Sequence, residues 1–249
     1  MKQFVLPESY NGEKLLTLRK DTFHHLVRVL RLRPEETLKG IDHNRTIHTF
    51  RVQDIQKDRC VIEKTDTLKP EVREYQLTLF QGLLKGKKFT QVVRQATEAG
   101  IHRVVPLVSE HSIPRLEAQE EKTWRLQRVA KEAVEQSGSP EIPEIAEPLP
   151  IEDLEAFWNH QGLGLYCHNE DQGGESLHRL LASPQKHLAV CVGPEGGWSE
   201  KDRKTLERAG FHPLYLGFNT LRAETAALYA LAVMHFILME KESWIPKPR

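Results

Sequence analysis

The chain has little cysteine, no net charge and no long apolar run, and each lack closes off a class of function. Its three cysteines, Cys60, Cys167 and Cys191, are an odd number without a C-x-x-C pair, which excludes a disulfide framework and a thiolate zinc site. There is no H-E-x-x-H and no G-x-S-x-G. Gly82-Leu83-Leu84-Lys85-Gly86-Lys87-Lys88 is one residue short of a Walker A and lacks its final Ser or Thr. Gly162-Leu163-Gly164 starts like a dinucleotide fingerprint, but position 167 is cysteine and no third glycine follows in register. His24 and His25 would point to different sides of a helix, so no metal is expected. No stretch approaches the ~18 apolar residues of a membrane span, and the N-terminus has no signal-peptide run. The expectation is a cytoplasmic protein with no membrane partner.

What the chain does contain is enough for a packed core. Of 249 residues 39% are hydrophobic and 28% charged, a composition that argues against disorder. The zero net charge hides an asymmetry. Residues 1–72 hold 14 Lys/Arg against 11 Asp/Glu, residues 73–139 hold 11 against 8, and residues 140–210 hold 6 against 13. A polyanion would meet the first half of the chain.

The first 70 residues read as a β domain. Short apolar runs at Phe4–Leu6, Thr37–Ile41, Thr46–Val52 and Cys60–Lys64 are separated by turn formers such as Asn11-Gly12 and Asp42-His43-Asn44. One helix is predicted over Phe23–Leu32, and Lys69-Pro70-Glu71 reads as a linker. After Tyr75 strand and helix alternate: strands at Leu77–Leu84, Val104–Val108, Leu163–Cys167, His187–Val192 and Pro213–Leu216, helices over Lys87–Ala99, Trp124–Val134, Ile151–His160, Ser199–Ala209 and Ala223–Glu240. Such alternation predicts an α/β domain, a parallel sheet covered by helices on both faces.

Two glycine-bearing loops leave strands in the second half, Val192-Gly193-Pro194-Glu195-Gly196-Gly197-Trp198 and Leu216-Gly217-Phe218-Asn219-Thr220-Leu221-Arg222-Ala223-Glu224-Thr225. Ligands of α/β sheets bind beyond the carboxyl ends of strands, where glycine lets the backbone approach closely. Val-Gly-Pro-Glu-Gly-Gly at 192–197 and Leu-Gly-x-x-x-Leu-Arg-x-Glu-Thr-Ala at 216–226 resemble the signature loops of the bacterial 16S rRNA (uridine-N3) methyltransferases, of the SPOUT superfamily. His24 to Arg33 is similar to that family's PUA-like RNA-binding domain. Lys85 to Gly100, Pro106 and Glu132 to Gly138 also fit, so the resemblance covers nearly the whole chain. Asn219 stands where the family usually has a basic residue, and Ser139-Pro140 where it usually has an arginine.

The resemblance implies a PUA-like β-barrel domain at 1–70 and a trefoil-knotted methyltransferase domain at 74–249. It implies S-adenosylmethionine held by Gly193, Pro194, Glu195, Gly196, Gly197, Leu216, Gly217, Thr220, Leu221 and Thr225. Uridine N3 must lose a proton before it attacks, so an acid–base group and a cation are needed. Glu224 and Arg222 are the candidates. Arg28, Arg31 and Arg33 with Lys85, Lys87 and Lys88 would face the 16S rRNA of the small ribosomal subunit. The alanines of the last helix, Ala227 and Ala230 among them, would pack a homodimer. Two alternatives stand beside this reading: a ribosome-binding or assembly factor without turnover, and a SPOUT methyltransferase acting on tRNA or on a ribose hydroxyl.

Overall fold

Turn formers and short apolar runs in the first third of the chain produce strands, as their spacing predicts. The computed structural model describes residues 2–69, 73–112, 120–173 and 175–244; the expected linker at Pro70-Glu71 lies outside them. The chain divides into two units, Met1–Val72 with Lys131–Ile142, and Arg73–Ala130 with Pro143–Arg249. The first domain expected from sequence ends near the first break, but the segment from Lys131 to Ile142, expected in the second domain, clusters with the first. Its ties are specific. The Gln3 amide donates to the carbonyls of Val134 and Ser139 at 3.2 and 2.8 Å, and the Val5 N–H donates to the Glu135 carboxylate at 3.0 Å.

In the first unit β1 (Lys2–Val5), β2 (Leu15–Arg19), β3 (Thr37–Ile41), β4 (Ile47–Ile55) and β5 (Arg59–Leu68) form one sheet in the order β1-β3-β4-β5-β2. Phe4, Leu18, Leu38, Phe50, Val52 and Ile62 build its core. Sequence reasoning passed over β2, because Leu15-Leu16-Thr17-Leu18 lacks alternation and only Leu18 is buried; antiparallel pairing with β5 makes it a strand. The predicted helix at 23–32 is shifted toward the N-terminus and irregular. Helix α1 (Lys20–Phe23) opens into a wide π-helical turn over His24–Val29, and Arg31 follows at φ +51°. The Leu30 and Leu32 N–H groups reach back to the carbonyls of His25 and Leu26 at 2.9 and 3.0 Å, a closure that leaves Leu26 and Leu32 buried. Arg28 and Arg31 therefore do not share an α-helical face.

From Arg73 on, strand and helix alternate as expected: β6 (Gln76–Gly82), α2 (Lys88–Glu98), β7 (Arg103–Val108), α3 (Glu120–Ser137, whose residues from Lys131 on belong to the first unit), β8 (Glu144–Ile145), β9 (Leu149–Pro150), α4 (Leu154–Trp158), β10 (Leu163–His168), α5 (Leu177–Leu180), β11 (His187–Val192), α6 (Glu200–Arg208), β12 (Phe211–Tyr215) and α7 (Ala223–Trp244). Every strand pair in this sheet is parallel, and the order runs β12-β10-β11-β6-β7-β8 with β9 beside β7. The two-residue alternation of a strand sends side chains to opposite faces. Leu188, Val190 and Val192 of β11 join α2 and α7 on one side, while Ala189 and Cys191 join α4 and α6 on the other. Helices cover both faces.

One expectation fails in α7. Residues Ala223–Glu240 are long and apolar enough to cross a membrane by length and composition, yet half of that stretch is buried inside the fold. Ala226, Ala227, Ala230, Leu231, Met234 and Leu238 pack into the core of the second unit, which accounts for the apolar composition. Ala227 and Ala230, at 1% and 0% exposed, are core residues and present no face to a partner chain.

Candidate active site

Parallel strands place their carboxyl ends on one edge of the sheet, and three adjacent ones, β12, β10 and β11, deliver their loops to one cavity. Its volume is about 560 Å³, within the range of small-molecule sites. The wall comprises Val192 to Trp198 after β11, Cys167, His168 and Asn169 at the end of β10, Leu216, Gly217 and Asn219 to Arg222 after β12, and Lys88, Ala223 and Ala226 from α2 and α7.

The predicted residues Gly193, Pro194, Glu195, Gly196, Gly197, Leu216, Gly217, Thr220, Leu221 and Arg222 all lie in this wall. Thr225 does not. It is an exposed residue of the first turn of α7, and its N–H donates to the Arg222 carbonyl at 2.9 Å. Glu224 is also off the wall; it is buried, and its Oε2 has no hydrogen-bond partner. Lys88, expected to face RNA, lies in this wall and reaches Glu195 with Nζ 3.1 Å from Oε1. Arg222 is exposed at the cavity and has no ion-pair partner among the described residues. Arg28, Arg31 and Arg33 are exposed in the first unit, and Lys85 and Lys87 are exposed in the second.

The first loop is held from several sides. Ser199 caps α6 by accepting from the Asp202 N–H at 3.1 Å, and the Asp202 carboxylate accepts from the Ser199 N–H at 3.0 Å, a reciprocal box that ends the loop. His111 Nδ1 donates to the carbonyls of Gly196 and Gly197 at 3.0 and 3.3 Å. A Cβ on Gly196 would sit 2.9 Å from His111 Cβ, so only glycine fits beneath that ring. Buried Gln81 at the end of β6 donates toward the carbonyls of Gly82, Val192 and Gly193 at 3.1, 3.4 and 3.5 Å. A Cβ on Gly82 would meet the Pro194 nitrogen at 2.5 Å. Gly82, which belonged to a failed phosphate motif, is there because the first loop crosses directly against it. In the second loop Gly217 takes φ +118°, a conformation that L side chains rarely adopt, with open space where a Cβ would go.

Electrostatics narrow the chemistry. Desolvation alone would raise the Glu195 carboxyl, but the Lys88 hydrogen bond and backbone N–H groups of Glu195 and Lys85 outweigh it and hold it below its ordinary value. Burial pushes the Cys167 thiol up to about 12, so a nucleophilic thiolate at this wall is excluded near neutral pH. The Trp198 indole donates to the Cys167 carbonyl at 3.1 Å and ties the first loop to β10. Sequence reasoning missed Cys167, His168, Asn169 and Trp198. The signal for the first three was the end of a predicted parallel strand, but strand order, invisible in sequence, is what brings β10 between the two glycine loops.

Residues 71–235 match the family described as RNA methyltransferase domain, and residues 18–65 match the RNA methyltransferase PUA domain. The protein named ribosomal RNA small subunit methyltransferase E from Aquifex aeolicus is 32% identical over 88% of this chain and 93% of its own. That of Synechocystis is 30% identical over 91% of this chain and 74% of its own. Among solved structures, the ribosomal RNA small subunit methyltransferase E of Neisseria gonorrhoeae bound to S-adenosyl methionine superposes with a TM-score of 0.83 at 27% identity, over 95% of this chain and 98% of that one. With an RNA methyltransferase domain spanning most of its length, a PUA domain before it and relatives of one name along nearly the whole sequence, the chain belongs to the family of the ribosomal RNA small subunit methyltransferase E enzymes.

Proposed function

We propose that this protein transfers a methyl group from S-adenosylmethionine to N3 of a uridine in 16S rRNA of the small ribosomal subunit, as a cytoplasmic homodimer. The observation that carries the reading is the meeting of both glycine loops at one cavity whose wall ends in Arg222. Relatives named for small-subunit ribosomal RNA methylation and a neighbour bound to S-adenosyl methionine support the substrate and the donor. The close crossing of Gly193-Pro194 over Gly82 supports the knotted crossover implied by the family resemblance.

The cavity fits the donor because glycine at 193, 196, 197 and 217 leaves backbone groups open to it, with Leu216, Thr220 and Leu221 also in its wall. Bound there, S-adenosylmethionine supplies a methyl group on a cationic sulfur. The chain's part is to hold donor and base in line, which removes the entropy of bringing two molecules together. Arg222 stabilises negative charge on a uracil oxygen as N3 loses its proton. Glu224, in the first turn of α7 with an unpartnered carboxylate oxygen, is assigned the acceptance of that proton by way of water.

Incubation with methyl donor and unmodified small subunits, followed by mapping of the modified nucleotide, tests the proposal. A single N3-methyluridine in 16S rRNA is the expected product. Modification of tRNA or of a ribose hydroxyl would replace this reading with another methyltransferase, and donor binding without transfer would leave a binding factor.

A further inference from the structure

We propose that Phe218 is the platform on which an unstacked base of the RNA substrate stacks at the mouth of the cavity; the inference rests on the methyltransferase reading above. Residues on either side of Phe218, Gly217 and Asn219 to Arg222, line the cavity, while Phe218 does not. Its side chain is fully exposed, at 101%, the most open large apolar group among the described residues. Its recorded ring neighbour is Tyr215, at 6.4 Å between centroids and 88° between planes, an edge contact that braces the ring without covering it.

The position makes the exposure meaningful. A base modified at a ring atom must leave its stack, and unstacked RNA bases are held on aromatic side chains. Between Leu216 and Leu221 the loop carries no charged side chain, so it offers an arriving nucleotide an aromatic face and not a phosphate contact. The cation of this loop is Arg222, at its other end and in the cavity wall. Base stacking is tolerant of sequence and, unlike phosphate contact, does not depend on counterion release. The ring and the cation thus divide the work: Phe218 holds the plane of a base, and Arg222 meets charge. The competing occupant is a second copy of the chain, because the loop leads directly into α7.

Phe218→Leu keeps the apolar bulk that a protein partner would contact and removes the π face, and Phe218→Trp keeps the face. With unmodified small subunits as substrate and saturating donor, Phe218→Leu is expected to raise KM for subunits about ten- to hundredfold. Affinity for S-adenosylhomocysteine and sedimentation should stay at wild-type values, and Phe218→Trp should restore KM. An unchanged KM in Phe218→Leu overturns the inference, as does conversion of that variant to a monomer. If the wild type transfers no methyl group, the proposed function falls by itself. Equilibrium binding to the same subunits then decides this point: loss of affinity in Phe218→Leu upholds stacking, and equal affinity overturns it.

Discussion

Lys88 reaches Glu195 across the cavity wall, Nζ to Oε1 at 3.1 Å, so a lysine expected to face RNA is tied to the first glycine loop. Both side chains are partly open to solvent, and pairs of that kind contribute about 0.2–1 kcal/mol. Lys88→Met should therefore weaken donor binding by no more than about fivefold and leave the salt dependence of RNA binding unchanged. The Glu195 carboxyl is held below its ordinary value, so its contribution is whole above about pH 4.3 and is lost as pH falls through the lower folded value. Donor affinity measured by calorimetry from neutral to acid pH should fall toward that of Lys88→Met only in that acid range. A Lys88→Met variant with a flattened RNA salt response would return Lys88 to the RNA-binding set.

Gly82 and Gly217 should fail for different reasons. Gly82→Ala places a Cβ 2.5 Å from the Pro194 nitrogen, between two backbones that cannot both stay put. Overpacking of this kind costs about 1–3 kcal/mol, and the displaced first loop should lose donor binding as well as thermal stability. Gly217→Val meets no neighbour but must adopt φ +118° or refold the second loop. It should lose donor binding with a much smaller change in melting temperature. Equal melting losses in the two variants would contradict this division.

The outer face of α7 carries Leu228, Tyr229, Ala232, Phe236 and Met239 at helical spacing, all exposed. We propose this stripe, and not the buried Ala227 or Ala230, as the place for the two-fold partner, since an isologous contact needs a self-complementary patch. Tyr229→Arg combined with Phe236→Glu should give folded monomers by sedimentation and abolish methylation. Ala230→Arg should unfold the second unit, because it drives an unpaired charge into a packed core. A dimeric Tyr229→Arg, Phe236→Glu double variant would move the interface elsewhere.

Arg28, Arg31, Arg33, Lys85 and Lys87 are exposed and remain the phosphate-binding candidates. Each contact removed by alanine substitution should flatten the log–log salt dependence of RNA affinity by roughly 0.7 to 0.9. The three arginines need not act together, because the π-helical turn and the φ of +51° at Arg31 aim them separately. A salt slope identical to wild type after all five are replaced would leave them as solvated surface.

The linear chain already determined the alternation of strands and helices and the glycine loops, because each depends on neighbours within a few residues. The parallel sheet was legible for the same reason, since crossover helices leave strands of one direction. Tertiary structure alone decided the rest. Strand order put β10 between the two loops and added Cys167, His168 and Asn169 to the wall. Close packing at long range explains why Gly82 and Gly196 must lack side chains, through Pro194 and His111. A pattern of alanines cannot tell core from interface, and burial assigned Ala227 and Ala230 to the core. A lysine beside a glycine loop reads as a phosphate ligand until the fold brings a carboxylate to within 3.1 Å of it.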